Sequence, residues 1–124
     1  MSDGQEYVYR ISTAEEWAEM QTSGDSLGGE LDKSSGFIHL SALHQVQSTL
    51  QNFFLNYKDD LYLLQIFAKK LGDGLVYEVV DGSNSAFPHF YGPSRSFSPL
   101  PLDAVTNAER LSLSDGRFSC SMLQ

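Results

Sequence analysis

Cysteine is nearly missing from this chain: Cys120 is the only one in 124 residues. No disulfide can form within the chain, and no zinc ribbon can be assembled from it. Basic residues are also few, eight Lys and Arg against sixteen Asp and Glu, for a net charge of −8. Duplex binding that rests on ~6–10 phosphate contacts would need most of the basic side chains on one face, and they are scattered along the chain. General nucleic-acid binding is therefore not expected. A small phosphate-bearing ligand held by one or two arginines stays compatible, because a local pocket can oppose the global field. Long hydrophobic runs are absent too. The longest, "LYLLQIFA" (61–68), falls far short of the ~20 residues that span a bilayer. The acidic start "MSDGQEYVYR" has neither the basic nor the apolar part of a secretion signal. The expectation is a soluble cytoplasmic protein of one domain, 1–124, with no membrane association; nothing in the sequence selects an oligomeric state.

What is present organises into short elements. "EYVYRIS" (6–12) alternates as a strand, with Tyr7, Tyr9 and Ile11 on one face and Val8 and Arg10 on the other. Thr13 followed by Glu16 forms a capping box that opens a first helix carrying Trp17 and Met20. The polar stretch 22–36 has no periodicity and reads as a loop. "GFIHLS" (36–41) alternates as a second strand, placing Ile38 and Leu40 on one face and Phe37, His39 and Ser41 on the other. Ser41 stands where the N-cap of a second helix belongs, ahead of Leu43, Val46, Leu50, Phe53, Phe54 and Tyr57 at helical spacing.

"DDLYLLQIFA" (59–68) reads as a central strand covered on both faces. "LVYEVV" (75–80) alternates and turns Glu78 to one side. All four prolines fall within 81–103, so a long central strand is not expected there; a locally extended "FPHFY" (87–91) would place Phe87, His89 and Tyr91 on one face. Two strands joined by an Asp115-Gly116 turn close the chain as a hairpin-like extension, 106–124. Together these elements predict an α+β domain with a largely antiparallel sheet.

Chemistry converges on few residues. His39 reads either as a core histidine with locally satisfied nitrogens or as a proton carrier beside the Ser41 hydroxyl. His89 sits in a loop constrained by Pro88, Gly92 and Pro93, with Tyr91 two residues on. Glu78 is a solvated strand residue or a carboxylate facing a pocket. His39 and His44 are five apart, which is neither a helical pair nor a finger spacing, so no metal site is expected from them and His89. No G-x-S-x-G elbow and no G-x-G-x-x-G loop occurs.

In this order, "YVYRIS", "EEW", "GFIHLS", "DDLYLLQI", "LVYE", "FPHFYGP" and "PLPLDAV" look like the family called domain of unknown function 952, over about 7–105. The resemblance implies an ADP-ribosyltransferase-like fold: split antiparallel sheets, two helices and a cleft between the sheets. More distantly, Phe37 to Ser41 resembles the His-Val-His-Leu-Ser strand of the RNA 2′-phosphotransferases, so His39 falls on that family's pocket histidine, and Arg10 stands where its first strand has a histidine. Relative to the usual run of the family, 94–99 ("SRSFSP") is inserted and adds Arg95. The resemblance implies His39, His89 and Glu78 as catalytic groups and Arg10, Ser41, Tyr91 and Arg95 as ligand-binding groups. NAD or ADP-ribose is the implied ligand or substrate. A non-catalytic small-ligand module on the same fold is the alternative.

Overall fold

Alternating aromatic and β-branched residues form β1 (Tyr7–Thr13), and the chain turns at once into α1 (Ala14–Ser23). Thr13 caps this helix, its Oγ1 accepting from the Glu16 N–H at 3.0 Å. Gly24, at φ 92°, ends it in the left-handed conformation that glycine adopts most readily. The computed structural model describes residues 6–79 and 85–123. The further elements are β2 (Asp25–Ser26), α2 (Glu30–Ser35), β3 (Ile38–His39), α3 (Leu43–Phe53), β4 (Leu61–Phe67), β5 (Leu75–Val79), β6 (Ala86–Phe90), β7 (Leu100–Pro101), β8 (Val105–Arg110), β9 (Ser112–Ser114) and β10 (Arg117–Ser119).

The result is an α+β arrangement of small antiparallel sheets. One is ordered β1-β4-β8, a second β3-β6-β5, and the pairs β2-β7 and β9-β10 are two-stranded. β4 is the central strand of its sheet, as its apolar run predicts. Its Leu64 and Ile66 join Val8, Met20, Ile38, Leu40, Phe90 and Leu100 in a core between the two larger sheets. Its Leu61 and Leu63 join Tyr9, Val46, Leu50, Leu111 and Phe118 in a second core under α3 and the terminal hairpin. An isolated bridge links the two larger sheets where Tyr9 and Ser41 exchange N–H···O bonds of 2.8 Å each. Asp115 and Gly116 both take positive φ, 54° and 76°, as the predicted two-residue hairpin turn requires. No helix among the described residues is long and apolar enough to cross a membrane.

Four expectations change. The stretch read as a loop holds the end of α1, β2 and a third helix, α2, so the described residues contain three α-helices rather than two. α2 has no apolar stripe because its one buried residue is Asp32, an ion-pairing group. Ser41 is not a cap: α3 is capped at Ala42, whose N–H donates to Gln45 Oε1 at 2.8 Å. Leu43 and Phe53 are exposed, and α3 stops at Phe53, so its buried stripe reduces to Val46 and Leu50 with Gln45. Finally, β6 is a middle strand although Pro88 lies within it. The Pro88 carbonyl accepts from Leu40 N–H at 3.1 Å on the β3 side. A residue's N and O point to the same neighbour in an antiparallel ladder, so the missing N–H faces the end of the two-residue β3, not the longer β5.

β6 continues into a tight approach with the segment before β5. Gly74 accepts from the Tyr91 N–H at 2.8 Å, and a Cβ added at Gly74 would lie 2.2 Å from the Tyr91 carbonyl and 2.8 Å from the Phe90 ring. Gly74→Ala is expected to destabilise the fold by about 2–4 kcal/mol through this overlap. A urea midpoint within the scatter of wild type would show that the approach is not tight.

Candidate functional site

Strand alternation turns Ile38 and Phe90 into the core between the sheets, so their neighbours Phe37, His39, His89 and Tyr91 share the opposite face of β3 and β6. His39 lies directly across from His89. Their rings meet edge to face, centroids 5.6 Å apart, and Phe37 packs on both, 4.5 Å from His39 and 4.1 Å from His89. Tyr91 completes the cluster 5.2 Å from Phe37. The extended "FPHFY" thus does bring Phe87, His89 and Tyr91 to one face, now as part of a sheet.

Each histidine is held by its own carboxylate. His39 Nδ1 lies 2.8 Å from Asp32 Oδ1, which also accepts the His39 N–H at 2.8 Å. His89 Nδ1 lies 2.7 Å from Glu78 Oε1, which also accepts the Tyr91 hydroxyl at 2.8 Å. Burial works against the Asp32 charge, yet the bonds from His39 and Arg10 outweigh it and hold the carboxyl well below its usual range. The bond from His89, with those of Tyr91 and Arg95, outweighs desolvation at Glu78 and holds it down to about 2. An ionised carboxylate only accepts, so both Nδ1 atoms carry protons and a neutral ring keeps its lone pair on Nε2. Burial lowers the His89 pKa, opposed by Glu78, which favours the neutral ring.

Arg10 supports this arrangement from behind. The resemblance implied a ligand-binding arginine, but all five of its N–H groups meet protein acceptors. It forms bidentate pairs with Glu16, 2.9 and 2.8 Å, and with Asp32, 3.0 and 2.8 Å, and donates to the His39 carbonyl at 3.0 Å. Burial disfavours the Arg10 charge, and the pairs with Glu16 and Asp32 more than restore it, raising the pKa. The Glu16 carboxylate is consequently absent from the capping box that the sequence suggests; only the Thr13 half is formed.

The other candidates divide. Arg95 joins the cluster: its Cζ stands 4.4 Å over the Tyr91 ring and its Nη2 donates to Glu78 Oε2. Ser41 is buried and engaged through its backbone with Tyr9. His44 is exposed on α3. Among the described residues no group of His, Cys, Asp and Glu is placed to hold a metal ion. Two hollows, about 390 Å³ beside Glu109 and Cys120 and about 350 Å³ beside Glu15 and Tyr57, are lined by none of the histidine-face residues.

Sequence reasoning missed Asp32, and it placed Glu16 in a capping box and Phe37 on the face of His39 without giving either a part in the site. The signal for Asp32 was present: "GGELDKSSG" has Gly29 three residues before Asp32 and Gly36 after the last turn, the start and stop marks of a short helix. Asp32 Oδ2 accepts the Gly29 N–H at 2.7 Å, and Gly28, at φ 72°, leaves the carboxylate room that a Cβ would fill at 2.6 Å.

The model of the family of proteins of unknown function DUF952 matches residues 11–108. The chain belongs to the DUF952 family. The crystal structure of CC0527 from Caulobacter crescentus is 33% identical, with 91% of this chain and 93% of that one covered and a TM-score of 0.78. The solution NMR structure of CC0527 is 32% identical, with coverages of 92% and 91% and a TM-score of 0.74. No curated protein matches this DUF952 chain.

Asp32→Asn leaves Arg10 neutralised by Glu16 alone but removes the charge from the bonds that Asp32 accepts from Arg10 and His39, and a stability loss of about 1.5–3 kcal/mol is expected. His89, Glu78 and Asp32 all have native pKa values below their ordinary ones, so each stabilises at high pH and loses that contribution on acidification. Wild-type stability should fall from near the ordinary histidine value of 6.5 as His89 is protonated in the unfolded chain, and more steeply from 4.5 toward about 2 through Glu78. Urea midpoints that stay flat between those limits would contradict this assignment of charges.

Proposed function

We propose that the histidine face of this DUF952 protein binds a nucleotide-like ligand, NAD or ADP-ribose, on an ADP-ribosyltransferase-like fold, with His39 as the proton-carrying group of a transferase. One observation carries the reading: a buried, ionised Asp32 fixes His39 by Nδ1 while the side chain stays 32% exposed. A histidine held through Nδ1 in one orientation, with its ring partly open to solvent, has the form of a general base. Asp32 and Arg10 act as positioning residues. Phe37 and Tyr91 supply a surface on which a planar ring can stack, and His89 or Glu78 would polarise the sugar. The two antiparallel sheets meeting at Tyr9 and Ser41 are compatible with the split sheets of that fold.

A second reading, a non-catalytic ligand module, is favoured by a specific fact. Every Arg10 donor and both Glu78 oxygens already face protein groups. The arginine cradle for phosphate and the free carboxylate for ribose are filled.

Amide chemical shifts recorded during titration with NAD and with ADP-ribose test both. Shifts at Phe37, His39, His89 and Tyr91, with nicotinamide release that drops by ~10²–10⁴ in His39→Ala, are expected of the transferase. Because the His39 ring is partly exposed, His39→Ala should keep the wild-type spectrum elsewhere. Shifts without release support the module, and the absence of shifts with either ligand removes the transferase reading.

A further inference from the structure

Arg95 sits in the way a ligand would. Its guanidinium, a flat cation, covers the face of the Tyr91 ring at 4.4 Å, donates to Glu78 Oε2 and reaches the Tyr91 hydroxyl at 3.3 Å. The groups beneath it are fixed without its help: His89 and the Tyr91 hydroxyl already hold Glu78 Oε1 at 2.7 and 2.8 Å, and Phe37 stacks on His89 and packs against Tyr91. Arg95 itself is poorly anchored. Its side chain is 58% exposed, and an exposed ion pair contributes little to stability.

The loop that delivers it is bent for the purpose. Ser94 and Arg95 both take left-handed backbone conformations, φ 57° and 59°, which residues other than glycine, Asn and Asp rarely adopt. The bend is closed by Gly92 N–H to the Ser96 carbonyl at 2.6 Å, and a Cβ at Gly92 would run into Ser98 at 2.7 Å. A backbone strained at two successive positions, ending in a weakly held side chain over a prearranged ring and carboxylate, is the geometry of an internal plug.

We propose that Tyr91, Glu78 and His89 form a subsite for a planar cation, and that Arg95 occupies it as a displaceable stand-in. The inference deepens the reading of the histidine face as a ligand site and rests on it. Ring face and carboxylate together select flatness and positive charge: a pyridinium ring, as at one end of an oxidised nicotinamide dinucleotide, or a guanidinium, as on an arginine side chain. A neutral ring of the same shape gains the stacking and forgoes the carboxylate. The chain's net charge of −8 also favours a cation over an anion at this face.

The test uses the full chain, wild type and Arg95→Ala, with three probes: 1-methylnicotinamide, methylguanidinium and neutral nicotinamide. Side-chain and amide shifts of Tyr91, His89 and Glu78 report occupancy. If the plug covers the subsite about nine-tenths of the time, its removal raises cation affinity about tenfold. Arg95→Ala is therefore expected to bind at least one cation about tenfold or more tighter than wild type, with neutral nicotinamide clearly weaker than that cation. Adding Glu78→Gln to Arg95→Ala should abolish the preference for charge. The cation bound more tightly identifies the source, pyridinium or guanidinium. Arg95→Lys, which keeps the charge without the flat fork, should fall between wild type and Arg95→Ala. Equal affinity in wild type and Arg95→Ala, no binding of either cation by Arg95→Ala, or neutral nicotinamide bound as tightly as the better cation overturns the proposal. ADP-ribose carries no planar cation, so its shifts at His39 without cation binding at Tyr91 would defeat this inference and leave the broader reading standing. Cation binding without any ADP-ribose shift would do the reverse.

Discussion

Arg10 is only 7% exposed, and a guanidinium that far from water is tolerated only where carboxylates face it with their hydrogen bonds matched. Glu16 comes from α1 and Asp32 from α2, each bidentate, and the remaining donor reaches the β3 backbone at His39. One side chain thereby fastens β1, α1, α2 and β3 at the seam where the Tyr9–Ser41 bridge pairs the backbones of the two larger sheets. The apolar cores lie on either side of β4 and account for the burial of the sheets. They do not specify where β3 ends or how His39 is aimed. The ionic cluster does, because charge-assisted bonds of this kind are directional and apolar contacts are not.

The consequence for chemistry is that His39 is positioned at two atoms, N–H and Nδ1, by a single carboxylate oxygen. Backbone and ring cannot move apart without stretching a bond to a buried charge. His89 is held more loosely, through a Glu78 that is partly exposed. Two histidines on facing strands, each with its own carboxylate, therefore differ in rigidity and burial: His39 has the firmly held anchor and the accessible ring, His89 the reverse.

Where the pattern that forms an element is apolar, it could be read in advance. The faces of β1, the central place of β4, the Asp115-Gly116 turn and the split of "GFIHLS" into Ile38 and Leu40 against Phe37 and His39 all follow from alternation or turn chemistry. Where polar contacts form the element, periodicity is blind. α2 buries Asp32 and nothing apolar, so its helical start and stop glycines were its only marks. The capping box at Thr13 and Glu16 is a local rule that lost to a stronger partner: Arg10, six residues upstream, offers Glu16 two charge-assisted bonds in place of one to a backbone N–H. Ser41 lost its cap to Ala42 because its own backbone was required for the bridge to Tyr9. Pro88 sits in a middle strand because β3 is too short to need its N–H.

Electrostatics sets the remaining constraint on what this face can hold. Arg10 is neutralised by Glu16 and Asp32, which leaves that buried cluster one negative charge in excess, and Arg95 is matched by Glu78. Among the described residues both arginines of this face are thus engaged by carboxylates and not free to meet a phosphate, and the chain as a whole is strongly acidic. Within a Debye length of ~8 Å at physiological salt, the field at Phe37, His39 and Tyr91 is set by these pairs and opposes an anion. A nucleotide-like ligand would therefore be drawn to the face by its rings and not by its phosphates. A dinucleotide whose flat ring bears positive charge meets that condition better than one whose charge is entirely phosphate, and any anionic portion of it must lie toward solvent, away from Asp32 and Glu16.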